Sequence, residues 1–409
     1  MNCRHCGSRL TLPLVDLGSA PPSNAYLTEE ALEAPEKRFP LRVLVCEQCW
    51  LVQTEDFAKA DELFAAEYAY FSGFSSSWLA HSERYVTEVV KLFGLDADSH
   101  VVEVAANDGY LLQYFKARNI PCTGIEPTAG TAAAARAKGI EVVEEFFSAA
   151  LARDLVARGK QADLVVANNV LAHVPDINDF VAAFAVLLKP GGVATFEFPH
   201  LLKLIAETQF DTIYHEHFSY LSLTAVKRIF ARNGLAIFDV EEHPTHGGSL
   251  RVFAQRADTG RLPQAAAVDQ MLQREARAGV TDATYYTGFQ GRTDKVRDDF
   301  LSFLREAKQQ GKRVAAYGAA AKGNTLMNYA GVQPDLISFV VDRNPAKQDK
   351  FMPGSRIPIV DESRLKDVRP DYVVILPWNL ESEVRHQLGY IREWSGQFVV
   401  AVPRLTVAP

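Results

Sequence analysis

The chain has no uninterrupted apolar run approaching the roughly 20 residues that a membrane-spanning helix needs. Its opening residues, MNCRHCGSRL, lack the apolar stretch of a secretory leader. Both absences lead to the expectation of a cytoplasmic protein with no membrane partner. An excess of basic residues is missing too: 43 Lys and Arg against 50 Asp and Glu leave a formal charge of −7. A nucleic-acid binder normally carries a basic face, so no nucleic-acid partner is expected. Cysteine is scarce, five among 409 residues, which argues against a disulfide framework in so long a chain. The dinucleotide fingerprint G-x-G-x-x-G is absent, which disfavours NAD. What remains is an ordinary globular composition, 48% hydrophobic and 23% charged. The length exceeds one core of typical size, so two or three domains are expected, with a monomer as the default state.

The few cysteines are placed in a pattern. CRHC and CEQC give C-x2-C twice, Cys3/Cys6 and Cys46/Cys49, and only Cys122 is left over. Each pair can form a knuckle gripping one ion, and two knuckles complete a tetrahedral four-sulfur shell. Such a shell has no open position, so a structural zinc is expected. His5 would be a ligand only if one cysteine were not.

Residues 1–58 therefore read as a metal-held module. An aromatic and serine-rich segment, EYAYFSGFSSSW, follows it, and then a helical pattern from Leu79 to Phe93. Apolar strand-like runs at Val101–Ala106, Cys122–Glu126, Leu164–Asn168 and Val193–Phe198 alternate with amphipathic stretches such as Thr128–Lys138 and Asn178–Leu188. That alternation predicts a parallel sheet covered by helices on both faces. KPGG at 189–192 reads as a turn before the fourth strand, and an insertion of about 20 residues follows Pro199. Residues 59–262 form this central domain. A helical linker opens residues 263–409, and a smaller α/β pattern closes them. The fold class is α/β: a zinc-binding module and two Rossmann-like domains.

Two strand-to-helix turns are candidate ligand sites. In VVEVAANDGYLL, Glu103 and Gly109 bracket the first. Gly109 has no Cβ to keep the chain from a ligand, and the helix start offers free N–H groups. Glu126 ends the next strand, where a carboxylate can accept both hydroxyls of a ribose. Asn168 and Asn169 end a later one. In YGAAAKGN, small residues leave room for phosphate. Lys322 and backbone N–H groups can neutralise a diphosphate there. Asp342, Arg343, Trp378 and Asn379 end later strands on the same edge, and Trp378 offers a face for stacking a base.

EVAANDG resembles the first motif of S-adenosylmethionine-dependent methyltransferases, acid-x-Gly-x-Gly-x-Gly, with Ala105 and Asn107 in place of two glycines. Together with the CxxC pairs, ANNVLAHVPD, YHEHFSYL, HGGSLRVF and YGAAAKGN, the whole chain resembles the zinc-containing sugar-nucleotide C-methyltransferases of deoxysugar (antibiotic sugar) biosynthesis. That resemblance implies S-adenosylmethionine in the central domain. It also implies a dTDP-4-keto-deoxyhexose, methylated at C-3, with its nucleoside diphosphate on the C-terminal domain. A carbon acceptor needs a base, and YHEHF supplies candidates. His217 is the expected base, because an imidazole suits proton abstraction near neutral pH. Glu216 is the competing base or an orienting group, and Tyr214 a donor to the enolate oxygen. By resemblance His173 and Tyr68 line the sugar pocket. His246 is a further candidate, and His215 reads as a structural hydrogen-bonder. The alternatives are methylation of a sugar oxygen or nitrogen, and a zinc-ribbon protein that binds a nucleotide without catalysis.

Overall fold

The computed structural model describes residues 1–57 and 71–409. Tyr68 lies outside the described residues.

Three sheets organise the described chain. The first begins with β1 (Leu12–Ala20), β2 (Phe39–Val45) and β3 (Val52–Thr54), paired antiparallel. In β2 the sequence FPLRVLV alternates, and its Leu41, Val43 and Val45 turn to the core. The central sheet contains β4 (Val101–Val104), β5 (Cys122–Ile125), β6 (Glu141–Val143), β7 (Ala162–Asn168) and β8 (Leu188–Pro199). β9 (Ser219–Tyr220) belongs elsewhere, and β10 (Leu235–His243) and β11 (Ser249–Arg256) complete the central sheet. Its strand order is β10-β11-β8-β7-β4-β5-β6, with β11 antiparallel to both neighbours. β7, ADLVVAN, is buried almost throughout, as a strand covered on both faces must be. The third sheet is ordered β14-β13-β12-β15-β16-β17, from β12 (Val314–Tyr317), β13 (Val340–Val341), β14 (Ile359–Val360), β15 (Tyr372–Ile375), β16 (Gln397–Val400) and β17 (Thr406–Ala408). The chain reverses its direction of travel through the sheet at β4 and again at β12. α/β sheets bind ligands beyond the strand ends at such points.

One expectation needs correction. KPGG is no turn ahead of a strand. β8 runs continuously from Leu188, and the run sits where its register with β7 shifts between Ala162 and Leu164. The insertion after Pro199 reaches beyond the central sheet. Its β9 pairs with β3, Val52 opposite Tyr220, and so supplies the fourth strand of the N-terminal sheet. That sheet shares one core with the C-terminal domain: Leu14, Val43 and Val52 pack in a cluster with Phe210, Phe289, Val314 and Val340.

Candidate active site

The two reversal points open into one cavity of about 510 Å³. The turn after β4 forms one side of it. Ala105 and Asn107, the positions where the methyltransferase motif has glycines, both adopt left-handed conformations, φ 57° and 50°. The Asn107 N–H donates to the Glu126 carboxylate at 2.9 Å, and Thr128 holds the other carboxylate oxygen through its N–H at 3.0 Å. Asn107, Glu126 and Asn168 all line the cavity. The Asn168 amide is buried, and neither its oxygen nor its nitrogen has a partner among the described residues. A buried amide aimed into a cavity fits a polar ligand, because leaving it unmatched costs about 1–3 kcal/mol.

The insertion delivers a cluster of titratable side chains. The His217 Nδ1–H donates to the Thr212 carbonyl at 2.8 Å, which leaves Nε2 to accept from the Tyr214 hydroxyl, also at 2.8 Å. Burial, with the His173 ring and the Lys322 ammonium nearby, pushes the His217 pKa well below the usual imidazole value, so the ring is neutral. His173 packs edge-on at 4.6 Å between ring centroids, its Nδ1–H donating to the Glu216 carbonyl at 2.8 Å. Burial brings His173 down to about 4. The Glu216 carboxylate is buried and raised in pKa by desolvation, and it accepts from Asn24 Nδ2 at 3.1 Å. His246 sits at φ 55° and accepts from Asn169 Nδ2 at Nε2, 2.9 Å away. Burial brings it to about 4 as well.

The C-terminal domain closes the far wall. Lys322, at the start of helix Ala321–Ala330, donates to Asn379 Oδ1 at 3.1 Å and to the His246 carbonyl at 3.4 Å. Lys347 also lines the cavity, donating to the Ala319 carbonyl at 2.8 Å.

At the other end of the N-terminal sheet, the Sγ atoms of Cys3, Cys6, Cys46 and Cys49 lie within 4.8 Å of one another. Gly7 and Trp50, each following a pair, take left-handed φ of 79° and 63°, and their N–H groups close turns onto the Cys3 and Cys46 carbonyls. This donor set of two facing knuckles fits a tetrahedral zinc. His5 turns away and bonds Asn178 Oδ1 at 2.8 Å.

Comparison with known proteins agrees with this division. Family models match at residues 3–64 (a zinc binding domain), 78–240 (methyltransferase domain) and 244–403 (C-methyltransferase C-terminal domain). The C-methyltransferase NovU of Streptomyces niveus is 35% identical over 401 residues, covering 98% of this chain and 95% of NovU. The chain belongs to the C-methyltransferase family. Among solved structures, the PH0226 protein from Pyrococcus horikoshii OT3 overlaps 49% of this chain and all of its own at 15% identity, TM-score 0.39. The glycopeptide N-methyltransferase MtfA overlaps 43% of this chain and 96% of its own at 18% identity, TM-score 0.35.

This C-methyltransferase is therefore an enzyme that uses S-adenosylmethionine and carries a structural zinc. No helix among the described residues is long and apolar enough to cross a membrane. Several candidate residues of the C-methyltransferase lie elsewhere than the sequence suggested. Gly109 does not approach the cavity: a Cβ there would meet Ile140 Cδ1 at 2.4 Å, so packing and φ 73° require the glycine. Glu103 is fully buried behind the turn, and desolvation raises its pKa well above normal. Asp342 holds the turn after β12, accepting from the N–H groups of Ala319 and Asn344, both at 2.8 Å. Arg343 is exposed and points to Gln387, off the cavity wall. His215, read from the sequence as a structural hydrogen-bonder, bonds the β2 carbonyls of Phe39 and Pro40. Asn24 and Lys347 line the cavity but escaped the sequence reading, because an isolated Asn and Lys carry no spacing signal.

Proposed function

We propose that the enzyme methylates C-3 of a dTDP-linked 4-keto-deoxyhexose through an enolate. One observation carries this reading: a neutral imidazole and a phenol, His217 and Tyr214, share a hydrogen bond on the wall of the cavity between the two α/β domains. Carbon carries no lone pair, so the acceptor C–H must first give up its proton. The neighbouring 4-keto group makes that proton acidic. Because Thr212 fixes the His217 proton on Nδ1, the basic lone pair is on Nε2. As substrate enters, the Tyr214 hydroxyl leaves Nε2 for the carbonyl oxygen, and Nε2 takes the C-3 proton. The C–H and the carbonyl sit on adjacent carbons, which suits two groups 2.8 Å apart. Tyr214 then stabilises the developing enolate oxygen. S-adenosylmethionine, when bound, supplies the electrophilic methyl group. Asn107, Glu126 and Asn168 hold and orient it, and Lys322 and the start of its helix meet the diphosphate.

A panel of dTDP-4-keto-6-deoxy sugars deuterated at C-3 tests the proposal by mass spectrometry. A methyl gain with loss of the C-3 deuterium is expected. A methyl gain with that deuterium retained would instead mean transfer to oxygen or nitrogen.

A further inference from the structure

Asp211 opens the loop that carries Tyr214 and His217, yet neither the cofactor pocket nor the proton transfer uses it. It is 1% exposed, on the short turn Phe210–Thr212. Its Oδ2 accepts from the Trp378 indole N–H at 2.7 Å, and its Oδ1 has no partner among the described residues. The Lys322 ammonium lies over the Trp378 ring, 4.5 Å from the centroid. The ring edge also presses on the loop of His246, where a Cβ on Gly247 would lie 2.3 Å from Trp378 Cη2. One indole thus joins the turn before Tyr214, the His246 loop and the C-terminal domain.

We propose that Asp211 is a positioning residue for the methyl transfer: through the Trp378 indole its carboxylate keeps Lys322 charged on the wall of the substrate cavity and locks the turn whose Thr212 carbonyl orients His217. The kinetic consequence rests on the substrate reading above, whereas the charge relation does not. Burial draws Lys322 down to about 8, opposed by the charge of Asp211. Burial lifts Asp211 to about 6, opposed by Lys322 and the indole N–H. Between those values both are charged, opposite charges that meet on one indole, the carboxylate at its N–H and the ammonium over its face. The other titratable groups that feel this ammonium, His217 and His246, are both drawn below the usual imidazole value and are neutral there.

The test compares wild type with Asp211→Asn and Trp378→Phe. Labelling of Lys322 by a small amine-reactive reagent is followed against pH by mass spectrometry on the full chain, with Lys347 as internal reference. Asp211→Asn is isosteric and still accepts from the indole, but it removes the counter-charge. Lys322 labelling near pH 7 should rise about fivefold, the effect of lowering a pKa of about 8 by one unit, while Lys347 is unchanged. The ratio of variant to wild-type kcat should be near one at about pH 6, where Asp211 is half protonated, and fall several-fold by about pH 8.5. Trp378→Phe should shift Lys322 in the same direction, which covers the case of a misfolded Asp211→Asn. Lys322 curves that superimpose in wild type and both variants would overturn the proposal whatever the substrate. A shifted Lys322 curve with no methyl gain on the keto-sugar panel would uphold it and fault the substrate reading instead.

Discussion

The Tyr214 hydroxyl lies 2.8 Å from Nε2 of His217, whose other nitrogen is committed to the Thr212 carbonyl. The ring's only basic atom is therefore the one facing the phenol. Replacing His217 by Asn removes that atom and should lower kcat by about 10²- to 10⁴-fold, leaving S-adenosylmethionine affinity unchanged by calorimetry. Tyr214→Phe should cost about 10²-fold, the usual loss of one oxyanion donor. Glu216→Gln keeps the Asn24 contact and should cost about tenfold or less. A larger loss in Glu216→Gln than in His217→Asn would move the base to Glu216.

The zinc site and the proposed base are linked through the N-terminal sheet. β3 follows directly on Cys49, and its Thr54 hydroxyl donates to the His217 carbonyl at 3.0 Å. Metal analysis should find one zinc per chain. Structural zinc binding is worth on the order of 10 kcal/mol. Its removal by a chelator should open β2, β3 and β9 to hydrogen exchange and abolish turnover together. Full turnover in zinc-free protein would show that the sheet does not hold the loop.

Acid should unfold the enzyme in a defined window. His173 and His246 fall to about 4 in the folded state, and His217 is lowered too, whereas an unfolded imidazole titrates near about 6.5. The unfolded chain then binds more protons between those values, so stability falls as pH drops from about 6.5 toward about 4. Asp211 acts with the opposite sign, since its raised pKa means the folded state holds the extra proton below about 6. Denaturant titrations across this range should show a shallower acid slope in His246→Asn than in wild type.

The Asn168 amide lines the cavity, and neither of its polar atoms has a partner among the described residues. Asn168→Ala should weaken S-adenosylmethionine binding about tenfold, or roughly 1.4 kcal/mol, at nearly unchanged protein stability. Thermal-shift titration with the cofactor reads both quantities, because a ligand of the folded state raises the melting temperature.

What local patterns encode was legible in the sequence. The two CxxC pairs meet as a four-sulfur cluster, and the alternating runs from Val101 onward form the parallel strands they suggested. Long-range pairing was not legible. β9 is two residues long and finds β3 more than 160 residues away, so no periodicity announces it. The turn glycines misled for a related reason. Gly109 reads as an approach to ligand, but its neighbour is the Ile140 side chain, which only the fold brings near. Ala105 and Asn107 looked like departures from a glycine motif, yet the backbone keeps the left-handed conformations that glycine normally serves. Asp211 lies three residues ahead of the YHEHF motif and carries no spacing signal of its own. Its partners Trp378 and Lys322 come from the far end of the chain, so its role emerged only from their placement.

The central claim is that the imidazole of His217 removes a proton from carbon. Exchange of the C-3 hydrogen of a dTDP-4-keto-6-deoxy sugar with deuterium oxide, followed by NMR with S-adenosylhomocysteine in place of the methyl donor, measures that step alone. Wild type should wash deuterium into C-3, and His217→Asn should leave the position protonated over the same time. Equal exchange rates in the two proteins would contradict the account.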